Sequence, residues 1–278
     1  MRILITGASG FVGRHLEKLL ENYSDYAIFQ LVRNAKGKGN EFVWDFKSNI
    51  PLKLPACDVI IHLAACVDFG ANLNIAQYDA NTISTLKLAA YAQKHNAYFI
   101  MASTAGIHGI KYPLIDDKTP IDPQNHYAVS KYLAEEAVKT FANNHSILRI
   151  GGIYGLDGPS HLGLNKAINN AIYKKEPPVL YGTGKAKRNY ICVLDVASWI
   201  ESLTRRYGRE KGNIEETLYL CSTEIMAIEE YLQAISDIVL KNGKIIRTEG
   251  ADAMDMVINP SKPPFSLRTF RGYLESLI

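Results

Sequence analysis

The chain has 278 residues, 47% of them hydrophobic and 21% charged, with a net charge of +3. That balance fits a globular protein with one large core and a smaller second lobe, and the charge is too slight to argue for a nucleic-acid partner. The four cysteines show no Cys-x-x-Cys spacing and fall among apolar residues, which predicts reduced packing thiols, a reducing cytoplasm and no metal site.

Residues 2–6 form a short apolar run that predicts a buried strand, and Leu16, Leu19 and Leu20 recur at helical spacing after it. Gly7, Gly10 and Gly13 fall between the two, in a strand-to-helix turn. In such a turn Gly7 can adopt a tight backbone conformation and Gly10 lets a pyrophosphate approach the main chain. Gly13 lets helix and strand pack closely, with phosphate charge meeting the helix N-terminus. Ser9, Phe11 and Val12 share the turn and join the expected cofactor set. A strand beginning at residue 2 leaves no room for a signal peptide, and no apolar run reaches the length of a membrane span, so no membrane partner is expected.

Further strand-like runs recur near 27–32, 41–44, 58–63, 97–102 and 145–150, with helical patterns near 11–21, 76–95 and 124–143. This alternation is that of an α/β protein with a doubly wound parallel sheet. Ligands bind at the carboxyl ends of such strands, so Gly7, the residues after Val32, Ala64-Ala65, Ser103-Thr104 and Gly151-Gly152 should converge. From Leu156 the chain turns to Gly, Pro and Asn, with a Pro177-Pro178 pair. A main domain of 1–155 and 190–212 and a smaller C-terminal substrate lobe of 156–189 and 213–278 are predicted. Residues 195–206 read as a helix returning to the main sheet, and Pro260, Pro263 and Pro264 precede a last amphipathic helix near 267–277.

Tyr127 and Lys131 lie four apart in a helical pattern, on one face and about one turn from each other. A free tyrosine titrates near ~10, but an adjacent ammonium and an oxidised nicotinamide favour its phenolate. Lys131 thus has two tasks, lowering the Tyr127 pKa and hydrogen-bonding a nicotinamide ribose. The second strand ends without the acidic residue that usually meets NAD ribose hydroxyls. Arg33 follows Val32, with Lys36 and Lys38 beyond, and a guanidinium suits a 2′-phosphate, so NADP(H) is favoured over NAD.

These residues resemble the extended short-chain dehydrogenases/reductases, the NAD-dependent epimerase/dehydratase family, from Met1 to about Ala197. The likeness is carried by the glycine turn, by Asp58-Val59-Ile60-Ile61-His62-Leu63-Ala64-Ala65, by Asn81-Thr82 and by residues 100–109. The Tyr-x-x-x-Lys and residues 188–197 complete it. The resemblance implies a Rossmann-like fold in which Leu63, Ala64 and Ala65 line the cofactor cleft with Asn81, Ser103, Gly152 and Ile153. It also implies that Asp45, followed by Phe46, meets the adenine, that Thr104 holds the substrate oxygen and that Arg188 meets a diphosphate. Tyr127 would then exchange a proton while hydride passes between nicotinamide C4 and a substrate carbon.

Departures sharpen the picture. Ala105-Gly106 stands where dehydratases of the family carry an Asp-Glu pair, so water elimination is not expected. Glycine stands at 152 where galactose epimerases place an asparagine, and His108 replaces a common tyrosine, facing the substrate or packing. His161 and Asn165 are candidate pocket residues by position alone. The expectation is a cytoplasmic NADPH-dependent keto-reductase of a nucleotide-activated sugar. A nucleotide-sugar 4-epimerase retaining NAD and a non-catalytic NADP(H) sensor or scaffold are the alternatives, with a smaller ketone or aldehyde as another substrate. A homodimer through the helices near 76–95 and 124–143 is expected by analogy.

Overall fold

The structure, a computed structural model, describes residues 1–210, 212–241 and 243–278. Seven strands form its main sheet: β1 (Arg2–Thr6), β2 (Ala27–Val32), β3 (Glu41–Val43), β4 (Val59–His62), β5 (Tyr98–Thr104), β6 (Asn144–Ile150) and β7 (Glu215–Leu220). They lie in the order β7-β6-β5-β4-β1-β2-β3, and the registered pairs from β3 across to β6 are all parallel. The α/β class and the doubly wound parallel sheet expected from the alternation are therefore present. β1 and β4 are buried along nearly their whole length, as apolar runs with both faces covered should be.

The chain winds outward from β1 through β2 to β3 and then crosses back to begin β4 on the other side of β1. That reversal opens a crevice at the carboxyl ends of β1 and β4. Both Gly7 and Ala64 lie there.

The helices that matter for the site are α1 (Phe11–Leu20), α2 (Ser84–His95), α3 (His126–Phe141) and α4 (Val193–Glu210). The helical pattern near 76–95 is not one α-helix. A turn of α-helix at Ile75–Tyr78 passes into a π-helical turn, Asp79–Ile83, before α2 begins. The extra residue in a π turn shifts the side chains that follow it, and such turns collect at functional sites. β7 has no counterpart among the sequence-predicted runs. Its residues, Glu-Glu-Thr-Leu-Tyr-Leu, are buried only at the end, so they lack the apolar signature of the inner strands.

Two compact units result. The first comprises Met1–Gly109, Ile121–Ile150 and Ala197–Leu218, and the second Ile110–Pro120, Gly151–Val196 and Tyr219–Ile278. The first unit's core packs Leu4, Ile60, Phe99 and Ile147 of the sheet with Leu88 and Val138 of the helices. The second has its own core of aromatic and aliphatic residues around Tyr154, Tyr231 and Phe270. Within it, Asn189 binds the Ser222 and Ile258 carbonyls and the Ile258 amide at 2.7–3.0 Å. The last helix is Phe270–Glu275, shorter than the pattern near 267–277 and capped by Thr269, which accepts the Gly272 amide. Among the described residues no helix is long and apolar enough to cross a membrane.

Candidate active site

After Thr6 the chain turns through Gly7 at φ +73°. A Cβ at Gly7 would lie 2.6 Å from the Ala64 nitrogen, and one at Gly13 would lie 2.1 Å from the Gly7 carbonyl oxygen. Neither position admits a side chain, the first because the exit of β4 passes beside it and the second because α1 packs onto the turn. Gly10 donates its amide to the Gly7 carbonyl at 2.9 Å and stands as the N-cap of α1. No side chain caps this end, which leaves the first-turn amides for an anion.

Behind the turn a buried relay joins β1, β4 and α2. Thr6 Oγ1 accepts the Ala64 amide at 3.2 Å and meets His62 Nδ1 at 2.7 Å. His62 Nε2 meets Thr85 Oγ1 at 2.8 Å, and that hydroxyl donates to the Asn81 carbonyl at 2.6 Å. With the Thr85 proton committed, His62 donates from Nε2 and receives the Thr6 hydroxyl at Nδ1. Burial, with the Lys131 charge second, pushes the imidazole down to about 3, so it stays neutral.

α3 starts where Asn125 accepts the Ala128 amide at 2.8 Å, a local cap that fixes the first turn carrying Tyr127. The Ser130 hydroxyl donates to the Tyr127 carbonyl at 2.8 Å and accepts from Asn81 Nδ2 at 2.9 Å. Asn81 also binds both the amide and the carbonyl of Cys66, at 2.7 and 2.9 Å. Its amide thus fastens the exit of β4 to the helix that bears Tyr127 and Lys131. Phe69 meets the Tyr127 ring edge-on, with centroids 5.4 Å apart.

Thr104, the last residue of β5, accepts the Gly106 amide at 3.0 Å, while Ser103 donates to Glu135 Oε1 at 2.5 Å. Burial pushes the Tyr127 phenol up to about 12. Lys131 is 2% exposed, and burial, only partly offset by Glu135, takes its ammonium down to about 8. Among the described residues no protein acceptor lies within hydrogen-bonding distance of that ammonium. The glycine cradle, the uncapped helix end and this buried cation are an arrangement that a dinucleotide fits. The turn would take its phosphates and Lys131 its ribose hydroxyls.

The family profile described as NAD dependent epimerase/dehydratase matches residues 3–214, most of the chain. The chain belongs to that family. As an epimerase/dehydratase-family protein it is 27% identical over 276 residues to the GDP-6-deoxy-D-talose 4-dehydrogenase of Aggregatibacter actinomycetemcomitans, covering 94% of this chain and 90% of the other. It is 26% identical over 264 residues to the uncharacterized UDP-glucose epimerase YtcB of Bacillus subtilis, covering 86% and 82%. Among solved structures, the UDP-glucuronic acid 4-epimerase of Bacillus cereus in complex with NAD superposes with a TM-score of 0.80. It is 20% identical, covering 99% of this chain and 94% of that one.

In this family member the remaining expected residues fall as follows. Leu63 and Ala64 are half-buried and Ala65 exposed, at the end of β4 beside Gly7. Arg33 is exposed just beyond β2 and makes no ion pair among the described residues. Its basic neighbour Lys38 pairs with Glu17 at 3.1 Å. Asp45 is exposed, and the Ser48 amide and hydroxyl and the Lys47 amide on its Oδ1 hold its carboxyl below the usual carboxylate range. Phe46 follows at φ +68°, and Lys87 of α2 donates to the carbonyls of Phe46, Lys47 and Ser48 at 2.6–3.3 Å. His108 is fully buried, with Nε2 at 3.5 Å from Arg149 Nη1, and so faces the interior.

Gly152, Ile153, Asn165 and Arg188 belong to the second unit. A Cβ on Gly152 would lie 2.1 Å from the Tyr190 ring, and Ile153 pairs with Ile191 in a short parallel ladder. Asn165 is fully buried, accepting the Gly155 amide at 3.0 Å and donating to the Ile153 carbonyl at 3.1 Å. Both ends of its amide are used by the turn. Arg188 gives Nη1 to the Lys187 and Met254 carbonyls.

Sequence reasoning did not single out Glu135, the His62 relay, Ser130, or a second-unit cavity of about 360 Å³ bordered by Lys166, Pro178, Leu180, Tyr181, Tyr190 and Tyr231. Only Glu135 left a signal, its helical spacing from Lys131. The others depend on contacts between segments distant in sequence.

Proposed function

We propose that the protein is a nucleotide-sugar 4-epimerase that retains NAD, with Tyr127 as acid and base, Thr104 on the substrate oxygen and Lys131 on the nicotinamide ribose. The observation that carries this reading is that the residues assigned to proton transfer occur without carboxyl groups at the two positions that follow Thr104. Thr104, Tyr127 and Lys131 stand in one unit, while positions 105 and 106, where elimination would need carboxyl groups, are a buried alanine and a glycine. The cofactor, when bound, supplies the hydride acceptor and donor. The protein's part is to accept the sugar hydroxyl proton at Tyr127 Oη, hold that oxygen with Thr104 and return the proton after the ketone presents its other face.

The solved relative with NAD bound and the relative named as a UDP-glucose epimerase support this reading over a reductase. Two observations favour a second reading, an NADP(H)-dependent keto-reductase. The guanidinium of Arg33 stands exposed where a 2′-phosphate would be met, and a relative covering 94% of the chain is named as a sugar 4-dehydrogenase.

The deciding experiment is to denature the purified protein and identify any released nucleotide, then assay nucleotide hexoses. Retained NAD and interconversion of 4-epimers without net cofactor consumption are expected, with a loss of about 10²–10⁴-fold in Tyr127→Phe. Stoichiometric NADPH oxidation with a keto-sugar, weakened by Arg33→Ala, would replace the epimerase with the reductase. If no nucleotide sugar shows a Tyr127-dependent rate, the non-catalytic dinucleotide-binding reading replaces both enzymes.

A further inference from the structure

A closed polar network lies against the catalytic helix and takes no part in the chemistry above. Glu135 follows Lys131 by one helical turn and is fully buried. Its Oε1 receives the Ser103 hydroxyl, and its two oxygens receive Arg149 Nε at 3.3 and 3.2 Å and Nη2 at 2.9 Å. Arg149, on β6, is 8% exposed, and its Nη1 is 3.5 Å from His108 Nε2. Ser103 is the residue before Thr104. One carboxylate therefore ties together the strand end that carries Thr104, the neighbouring strand β6 and the helix that carries Tyr127 and Lys131.

A buried carboxylate is costly unless its lone pairs are met, and a buried ion pair is weak support for stability. A well-packed apolar trio would join these three elements as firmly. What a carboxylate adds is charge, and it adds it one turn from a buried ammonium. Tyr127 and Glu135 lie one helical turn to either side of Lys131, the Lys131 charge acts on His62 at the end of β4, and Arg149 and His108 join the network through Glu135. Tyr127 and His62 are held neutral, and Arg149 is a cation paired with Glu135. Glu135 is the anion in this set. We propose that Glu135, braced by Ser103 and Arg149, is a positioning residue whose carboxylate keeps Lys131 cationic in its buried site, so that the ammonium can receive the cofactor ribose. This rests on the assignment of Lys131 to the cofactor, and it goes further by giving a role to a residue outside the proton-transfer set.

The direction of the Lys131 shift agrees, since burial lowers the ammonium and Glu135 opposes that. Without the carboxylate, the uncompensated Arg149 guanidinium would push in the same direction as burial. Lys131 would then lose its proton at lower pH.

The test is the pH dependence of NADH affinity, followed by fluorescence between pH 6 and 10, in wild type, Glu135→Gln and Glu135→Asp. Glu135→Gln keeps the shape and two of the hydrogen-bonding roles but removes the charge. Its alkaline loss of affinity is expected to begin about half to one pH unit below that of wild type, while Glu135→Asp stays close to wild type. A uniform loss of affinity at all pH values, or a lowered melting temperature with an unmoved alkaline limb, would mean a purely structural role and overturn the proposal.

A cofactor-free measurement separates this from the assignment of Lys131. Urea unfolding is compared at pH 7 and 9.5 for wild type and Glu135→Gln, each with and without Lys131→Met. The proposal requires that Glu135→Gln change the pH dependence only where Lys131 is present, and the same change in the Lys131→Met background would refute it. If NADH binds none of the proteins while that dependence holds, the cofactor reading fails and the control of Lys131 by Glu135 stands.

Discussion

Tyr127 and Lys131 are both pushed toward their neutral forms by the same cause, loss of water, and the consequences for stability have opposite signs. The folded-state value for Lys131, about 8, lies below the free-lysine value. The unfolded chain therefore holds the extra proton, and stability rises as pH climbs from about 8 to about 10.5. For Tyr127, raised to about 12, the contribution is complete below about 10 and is lost as pH rises through 12. Lys131→Met should remove the first effect. Wild type is expected to gain roughly 2–3 kcal/mol on the variant between pH 8 and 10 in urea titrations, and parallel curves would show that the ammonium is not buried as described. Tyr127 and Lys131 were legible as a pair because four residues on a helix is a local spacing. Their electrostatics were not, because desolvation depends on everything folded around them.

At the scale of elements, the first strand, its glycine turn and α1 form one device. Gly13→Ala would place a methyl group 2.1 Å from the Gly7 carbonyl oxygen. The helix would have to move off the turn, at a cost of about 1–3 kcal/mol, and NADH affinity should fall at least tenfold with it. Gly39→Ala, where an added Cβ meets nothing within 4 Å, should leave both unchanged, so equal losses in the two variants would undo the argument. The turn and the inner strands could be read from the sequence, since parallel strands covered on both faces show as unbroken apolar runs. β7 and the π turn at Asp79–Ile83 could not. The strand opens with two glutamates, and hydrophobic spacing does not distinguish a π turn from the α-helix on either side.

For the whole molecule, a ligand that binds the folded state alone must stabilise it. NAD⁺ at about a hundred times its dissociation constant should add about 2.7 kcal/mol, raising the melting temperature of the first unit's transition by roughly 5–10 °C in calorimetry. In protein first stripped of any retained nucleotide, no shift at millimolar NAD⁺ or NADP⁺ would contradict a dinucleotide site. Other contacts at this scale join residues far apart in the chain. Arg268 binds Asp195 through both its amide and its guanidinium, and Asn189 holds the segments around Ser222 and Ile258. The sequence marked Asn165 by position and Arg188 by family resemblance, and only the folded second unit revealed that the Asn165 amide is occupied by a turn and that Arg188 leans on backbone carbonyls.

By itself the sequence determined the α/β class, the order of the inner strands' apolar runs, the glycine cradle and the Tyr127–Lys131 pair. Each of these is written in residue types at short separations, where backbone geometry and side-chain period act directly. The tertiary structure decided that His62 is a neutral link between β1 and α2, that Asn81 binds the exit of β4 to Ser130, and that Ser103, Glu135 and Arg149 form one buried network. Those roles arise from hydrogen bonds between segments 14 to 58 residues apart, and such partners are fixed only when the sheet brings its strand ends together.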